Sequence, residues 1–453
     1  VTTRIRIALL GAGGFATDAV RPSLSLSLLL VDTEVGGWAR ESKHSLSVRT
    51  LTNSTCLRRN NTDTLDLVAL YSRSLSSAQQ LQLEAARLHS LADTAPQLDL
   101  YSDDHPQHHS LATLLARDDL DAVAVCLPIP HQPAVLLECL RARKHVLSEK
   151  PIAPTLDRAL ELVHEYERDH APNGVHWLVA EQFPHAAAWE RARQLVRDGK
   201  LGRLVGFDAD VFIQPSLKAG ATNWRRVPDY QGGCVPLPSF LAIFLALTLA
   251  LPRARSFLLD GGVHFFAALR HVLSGTPAPT DLVAVSAHVT QLDPALPPTD
   301  TLRAVLHTSD AKLGGTLVLS FGTPQPSDAK RYTFRGTDAV LTVDLGSNPR
   351  TVLLTLVSAP PPPQKGEDPL PPRKVEIELP AQTAVEAEFA AFAATILGGG
   401  ADSDAARAAR ERSGPRAALR DLAAVEAALK SGERGGERVA LRDLVGDEAW
   451  EVK

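Results

Sequence analysis

The run Ile5-Arg6-Ile7-Ala8-Leu9-Leu10-Gly11-Ala12-Gly13-Gly14-Phe15-Ala16 decides which fold to expect. Its apolar half predicts a buried strand, and its glycine-rich half fits the pattern G-x-G-x-x-G/A that joins such a strand to a helix. In this pattern Gly11 allows a tight turn, Gly13 lets the backbone approach a pyrophosphate, and Ala16 permits close packing of helix and strand. The turn therefore predicts a dinucleotide site formed by Gly11, Gly13, Gly14, Phe15 and Ala16, although glycine-rich turns without a ligand also exist.

A second apolar strand, at 65–71, arrives later than a dinucleotide-binding fold requires. In such folds the second strand ends about 20 residues beyond the glycines, whereas Ser72 stands 56 residues after Ala16. The intervening segment 31–62 is polar, rich in arginine and aperiodic, and without its 32 residues the spacing becomes 24. We therefore interpret 31–62 as an insertion into the first domain.

The end of that second strand indicates which dinucleotide binds. An acid at this place would bind the ribose 2′-hydroxyl of NAD, but the chain has Ser72 and Arg73 instead. A planar guanidinium suits the 2′-phosphate of NADP, so the sequence favours NADP(H) over NAD(H), with a solvated surface arginine as the alternative. A further strand at 121–127 ends in residues expected to flank the cofactor, namely Leu127, Pro128 and His131.

The stretch Glu149-Lys150-Pro151 follows a short apolar strand at 145–147. Ligands of open α/β sheets bind at the carboxyl ends of strands, so Lys150 is expected to point into the binding crevice. We predict that Lys150 donates or accepts the proton of a nicotinamide-dependent reaction, and that Glu149 shapes the turn beside the cofactor. A surface lysine in an ion pair is the alternative.

Composition narrows the remaining classes of protein. The 453 residues exceed what one core usually supports, so we expect a dinucleotide-binding domain at 1–150 and a second domain at 151–453, with a C-terminal helix packing back on the first. A net charge of −5 gives no reason to expect nucleic acid or a membrane as a partner. No metal is expected, because the histidines at 105, 108 and 109 lack a fourth ligand nearby. Four cysteines without CxxC spacing and no signal-peptide pattern predict a reduced, cytoplasmic protein.

Four motifs taken together resemble one family. These are GAGGFA, CLPIPHQ at 126–132, HVLSEKPIAPT at 145–155 and DGGVH at 260–264. In this order they are similar to the glucose–fructose oxidoreductase / inositol dehydrogenase / MocA (Gfo/Idh/MocA) family, closest to its fungal NADP(H)-dependent branch. The resemblance implies an N-terminal Rossmann domain and a C-terminal α/β domain with a large, mostly antiparallel open sheet. In this family that sheet commonly packs against another subunit, which predicts a homodimer or higher homo-oligomer.

The same resemblance assigns roles to residues. It makes Lys150 the proton carrier or the group that holds the reacting oxygen, and it places Asp260 and His264 on substrate hydroxyls, with His264 able to act as acid or base. Their i,i+4 spacing puts Asp260 and His264 on one helix face, and we expect that helix to begin near Gly261 and Gly262. The alternative for His264 is a histidine whose hydrogen bonds serve only the fold. Possible substrate contacts complete the site: Gln182, Trp224, Arg225 and Tyr230.

The implied reaction is hydride transfer between nicotinamide and a carbinol or carbonyl carbon of a sugar, polyol, or small aldehyde or ketone. A non-catalytic sensor that binds dinucleotide through the same fold is the alternative. Paired acid and base groups at Lys150 and His264 favour the enzyme, because a sensor has no use for them.

A second insertion, 234–256, lies shortly before Asp260 and contains the apolar run 240–251, which is shorter than a membrane span. We hypothesise that 31–62 and 234–256 are retained introns, because each begins near a valine, whose codons start with GT. Spliced messenger RNA that keeps both segments would refute this hypothesis.

Overall fold

A computed structural model describes residues 4–11, 64–89, 98–104, 109–213, 257–293, 296, 299–323, 330–346, 348, 350–360, 371–381, 384–398 and 403–446. Several sequence predictions lie outside these residues: the two insertions, Gly13, Gly14, Phe15, Ala16, Trp224, Arg225 and Tyr230. Within the described ranges, no helix is both long and apolar enough to cross a membrane.

Six parallel strands form the first sheet. They are β1 (Ile5–Leu10), β2 (Leu65–Ser72), β3 (Asp99–Ser102), β4 (Ala122–Val125), β5 (His145–Glu149) and β6 (Trp177–Ala180). Their spatial order is β3-β2-β1-β4-β5-β6, and all neighbours run parallel. This is the doubly wound order, in which the chain reverses direction between β1 and β4 and leaves a crevice for ligands there. The predicted Rossmann fold is confirmed.

Helices connect these strands on both faces of the sheet. They are α1 (Leu75–His89), α2 (Leu111–Leu115), α3 (Gln132–Arg141) and α4 (Leu156–Glu165). Side-chain caps explain two of the starts, since Ser110 caps α2 and Thr155 caps α4. The parallel sheet continues beyond the boundary expected at residue 150, because β6 adds to it directly beside β5.

The second sheet has nine strands and is mostly antiparallel, as predicted. They are β7 (Leu204–Phe212), β8 (Leu282–Thr290), β9 (Thr301–Thr308), β10 (Gly314–Ser320), β11 (Lys330–Gly336), β12 (Ala339–Asp344), β13 (Thr351–Ser358), β14 (Arg373–Pro380) and β15 (Val439–Ala440). The order of these nine strands is β14-β13-β12-β11-β7-β10-β9-β8-β15. Among the described strands of this second sheet, only β7 and β10 pair in parallel. The two-residue β15 was not predicted, because so short a strand carries no periodic signal.

Six further helices complete the described part of the chain. They are α5 (Ala187–Arg197), α6 (Phe257–Leu273), α7 (Val385–Leu397), α8 (Asp404–Ser413), α9 (Pro415–Glu433) and α10 (Arg442–Val445). Helix α9 packs on β8 and on α6, while α5 packs on β12, β13 and β14. In contrast, α7 and α8 return to the first sheet, where Phe389, Phe392 and Ala409 join its apolar cluster. The chain's late helices therefore bind the two sheets together.

The helix that carries Asp260 and His264 differs from the prediction in one respect. It is already formed at Phe257, so Gly261 and Gly262 lie inside α6 and not at its start. A Cβ on Gly261 would meet Phe321 Cζ at 2.6 Å. The glycine is needed because α6 packs closely against the second sheet.

A buried ion pair fixes α6 against α9 and α8. Arg270 donates through Nε and Nη2 to the two carboxylate oxygens of Asp421 at 2.8 Å each. Its Nη1 and Nη2 also donate to the backbone oxygens of Glu411 and Arg412 at 2.9 and 3.0 Å. The side chains of Arg270 and Asp421 are only 11% and 4% exposed. Each charge is therefore stable in this buried position only because the opposite charge is beside it.

Replacing Asp421 by alanine is expected to lower the free energy of unfolding by about 3–5 kcal/mol, because Arg270 is left buried without its counter-charge. Urea denaturation measures the change. Arg331→Ala is the control, since its ion pair with Asp344 is exposed at 59% on the arginine side and should contribute less than about 1 kcal/mol. Equal losses in the two variants would contradict the assignment of Asp421 as a structural anchor.

Candidate active site

Lys150 follows directly after β5, at the carboxyl edge of the first sheet. The Lys150–Pro151 peptide bond is cis. The buried Gln132 side chain donates from Nε2 to the backbone oxygens of Glu149 at 2.7 Å and Pro151 at 3.0 Å. One amide therefore holds the backbone on both sides of the lysine.

The Lys150 ammonium reaches across to the second half of the chain. Its Nζ donates to Asp260 Oδ1 and to the Asp260 backbone oxygen, both at 2.9 Å. The lysine side chain is 15% exposed and that of Asp260 is 4% exposed. The two predicted residues, 110 positions apart in the sequence, thus form a largely buried ion pair at the junction of the two sheets.

His264 lies one turn after Asp260 on α6 and pairs with a different acid. Its Nδ1 lies 2.8 Å from each carboxylate oxygen of Glu181, and both side chains are almost fully buried. A carboxylate only accepts, so Nδ1 carries a proton and donates it to Glu181. Burial acts to raise the pKa of Glu181, but the charge and hydrogen bond of His264 outweigh it and the pKa is lowered.

Glu181 was missed by the sequence predictions, which chose its neighbour Gln182. The backbone oxygen of Gln182 accepts from His185 N at 3.0 Å, and the residue begins the turn Phe183–His185. That turn brings the Phe183 ring onto His264, with centroids 5.1 Å apart. The signal for Glu181 was an acid directly after the apolar run of β6, the same strand-end position that singled out Lys150.

Glu149 is the last residue of β5 and directly precedes Lys150. Burial raises its pKa to about 7, although the charge of Lys150 acts in the opposite direction. The role predicted for Glu149 beside a cofactor stays a prediction.

The chain after β1 passes very close to the chain after β4. Gly11 directly follows β1 with φ of 115°, and a Cβ there would stand 2.1 Å from the backbone oxygen of Cys126. No other residue type fits, because this φ is unfavourable for side chains and the space is closed. A glycine is thus required at the position where the first glycine of the dinucleotide-binding pattern was predicted.

The residues predicted to select the cofactor gather at the same edge. Arg73 is exposed at the end of β2 and forms no ion pair with any residue in the described ranges. Burial lowers the pKa of His131, and the charge of Arg73 lowers it further. His131 N donates to the Pro128 oxygen at 2.9 Å in the turn after β4, while Ser72 at the end of β2 is buried. Leu127 is buried beside Gly11, where a Cβ would meet its Cδ2 at 3.3 Å.

The chain is similar to known oxidoreductases in both sequence and fold. The family profile described as "Oxidoreductase family, NAD-binding Rossmann fold" (GFO_IDH_MocA) matches residues 5–176. Dehydrogenase FPY6 of Fusarium mangiferae is 32% identical over 371 residues, covering 81% of this chain and 88% of that protein. A 1,5-anhydro-D-fructose reductase of Ensifer adhaerens is 30% identical over 177 residues, 39% of this chain and 44% of that protein. Among solved structures, the 3-ketoreductase KijD10 of Actinomadura kijaniata, in complex with NADP and TDP-benzene, has a similar fold, with a TM-score of 0.55 at 19% identity over 95% of this chain and 98% of that one.

Gly11→Ala is expected to weaken dinucleotide binding at least about tenfold, because the backbone must move away from Cys126 to admit a methyl group in a strained conformation. Fluorescence titration with NADPH measures the affinity. Gly199→Ala is the matched control, since Gly199 also has positive φ, 68°, but its Cβ would meet nothing within 4 Å. Unchanged affinity in the Gly11 variant would show that the dinucleotide does not lie at the β1 turn.

Proposed function

Because the chain belongs to the Gfo/Idh/MocA family of NAD(P)-binding oxidoreductases, we propose that it transfers a hydride between NADP(H) and a carbinol or carbonyl carbon of a sugar, polyol, or small aldehyde or ketone. The observation that carries the proposal is the buried Lys150–Asp260 ion pair one helical turn from the Glu181–His264 pair. The name of the Ensifer relative, a reductase of an anhydro-sugar, supports a sugar-like substrate.

The bound nicotinamide would supply or accept the hydride, and the side chains of this chain handle the proton. Lys150, oriented by its hydrogen bonds to Asp260, donates a hydrogen bond to the reacting oxygen and stabilises negative charge that develops on it. His264 Nε2 takes the proton of a carbinol during oxidation and returns it during reduction. Glu181 orients the imidazole and stabilises its protonated form, as a carboxylate behind a catalytic histidine does.

Lys150→Met is expected to lower kcat by about 10²–10⁴-fold while leaving the affinity for NADPH within about threefold, because the group acts on the reacting oxygen. Turnover over a panel of sugars, polyols and small carbonyl compounds gives kcat, and fluorescence titration gives the affinity. Lys200→Met, which removes an exposed lysine, is the control. Dinucleotide binding without turnover of any compound, unaffected by the Lys150 variant, would favour the sensor instead.

The choice of NADP(H) over NAD(H) rests on Arg73. Its guanidinium is exposed and forms no ion pair within the described residues, which suits an anion such as the 2′-phosphate. His131, in the turn after β4, and the partly buried hydroxyl of Ser74 offer further hydrogen bonds, whereas Ser72 is buried at 3% exposure.

Arg73→Ala is expected to weaken NADP(H) binding about 10–100-fold and to leave NAD(H) binding nearly unchanged, because only the former carries the 2′-phosphate. The affinities of both dinucleotides for both proteins, measured at one salt concentration, give the change in selectivity. NAD(H) thus serves as the internal control. Equal weakening of both dinucleotides would count against a 2′-phosphate site.

We also propose that the enzyme is a cytoplasmic homo-oligomer that assembles through the outer face of the second sheet. Val305 on β9 is 49% exposed, so a partner subunit on this sheet would cover it. Cys126 and Cys139 are free thiols, which suits a reducing compartment.

Val305→Lys should convert an oligomer into monomers in light scattering coupled to gel filtration.

A further inference from the structure

Glu388 has a carboxyl group whose hydrogen bonds are incomplete. The residue lies on α7 and is only 5% exposed. Its Oε2 atom has no hydrogen-bond partner among the residues that the structure describes. Buried polar atoms nearly always have a partner, and one without a partner destabilises the fold. The lack of a partner for Glu388 Oε2 therefore indicates that a bound ligand supplies its hydrogen bond.

Helix α7 carries Glu388 to the active-site edge of the first sheet. The helix packs against β5, β6 and the Phe183–His185 turn, and Phe389 anchors it in the apolar cluster of that sheet. The strands lead into Glu149 and Glu181, and both acids act electrostatically on the Glu388 carboxyl. Glu388 thus lies beside the groups that surround Lys150.

The surroundings of Glu388 favour its uncharged form. Burial raises its pKa well above the usual range, and the neighbouring Glu149 and Glu181 raise it further. Lys150, the cation nearest to Glu149 in the sequence, already donates to Asp260. A neutral carboxylic acid has a donor and an acceptor side by side, unlike a carboxylate, which only accepts.

We propose that Glu388 is a cofactor-binding residue, a neutral carboxylic acid that hydrogen-bonds the primary amide of bound nicotinamide; this rests on the proposed function. The acid O–H donates to the amide oxygen, and the amide N–H donates to the acid carbonyl oxygen. If the adenosine end binds at Arg73 and the pyrophosphate at Gly11, the nicotinamide end would lie towards β5, one of the two strands on which the helix that carries Glu388 packs.

The test combines two replacements with two dinucleotides. Glu388→Leu removes both hydrogen-bonding groups, and Glu388→Gln keeps a neutral donor and acceptor of similar shape. Calorimetry gives the affinities for NADP and for its 3-acetylpyridine analogue, which lacks the amide N–H. Thermal unfolding of the ligand-free proteins is the second readout. Glu386→Leu, on the same turn but exposed, is the matched control.

Glu388→Leu is expected to bind NADP about tenfold more weakly and to unfold about 1–3 °C higher than the unmodified protein, because a buried unpaired acid has been removed. Glu388→Gln should bind NADP within about twofold of the unmodified protein. The preference for NADP over the acetylpyridine analogue should disappear in Glu388→Leu and persist in the Glu386 control.

Three results would overturn the inference: unchanged NADP affinity in Glu388→Leu, a persistent preference for the amide in that variant, or weaker binding accompanied by a lower unfolding temperature. The last result would assign Glu388 a structural role. Failure of the unmodified protein to bind either dinucleotide would instead refute the proposed function, so the two failures are distinguishable.

Discussion

The ion pair between Lys150 and Asp260 is the contact on which the site depends. One partner ends a strand of the parallel sheet, and the other lies on a helix that packs against the antiparallel sheet. Neither charge is stable in a largely buried position without the other. The pair therefore forms only when the two sheets are docked in one arrangement, and the same arrangement brings His264 to Glu181. Docking of the two sheets therefore also assembles the two ion pairs of the candidate active site.

Much of the fold was predictable, because most strands and most helices carry a local pattern. The glycine turn after β1 and the strand-end position of Lys150 follow from residues that are adjacent in sequence. The family resemblance added Asp260 and His264, and the structure pairs Asp260 with Lys150 and His264 with Glu181; their catalytic roles stay predictions.

What sequence reasoning missed depends on distant contacts. Glu181 is 83 residues from His264, and nothing near Glu181 in the sequence indicates that partner. Glu388 belongs to an ordinary helical pattern, in which an acid is expected to face solvent. Glu388 is buried because α7 packs back on the first sheet, and no pattern near Glu388 in the sequence predicts that packing. Gly261 and Gly262 were interpreted as a helix start because their packing against the second sheet was not visible.

The return of α7 and α8 to the first sheet has a consequence for how the protein is made. Phe389, Phe392 and Ala409 complete an apolar face that includes Leu147 and Leu178 of β5 and β6. During synthesis those strands leave the ribosome more than two hundred residues before the helices that cover them. Until those helices are made, part of the apolar surface of the first sheet is exposed to solvent. A chaperone would bind this surface, and a chain truncated before α7 would aggregate through it.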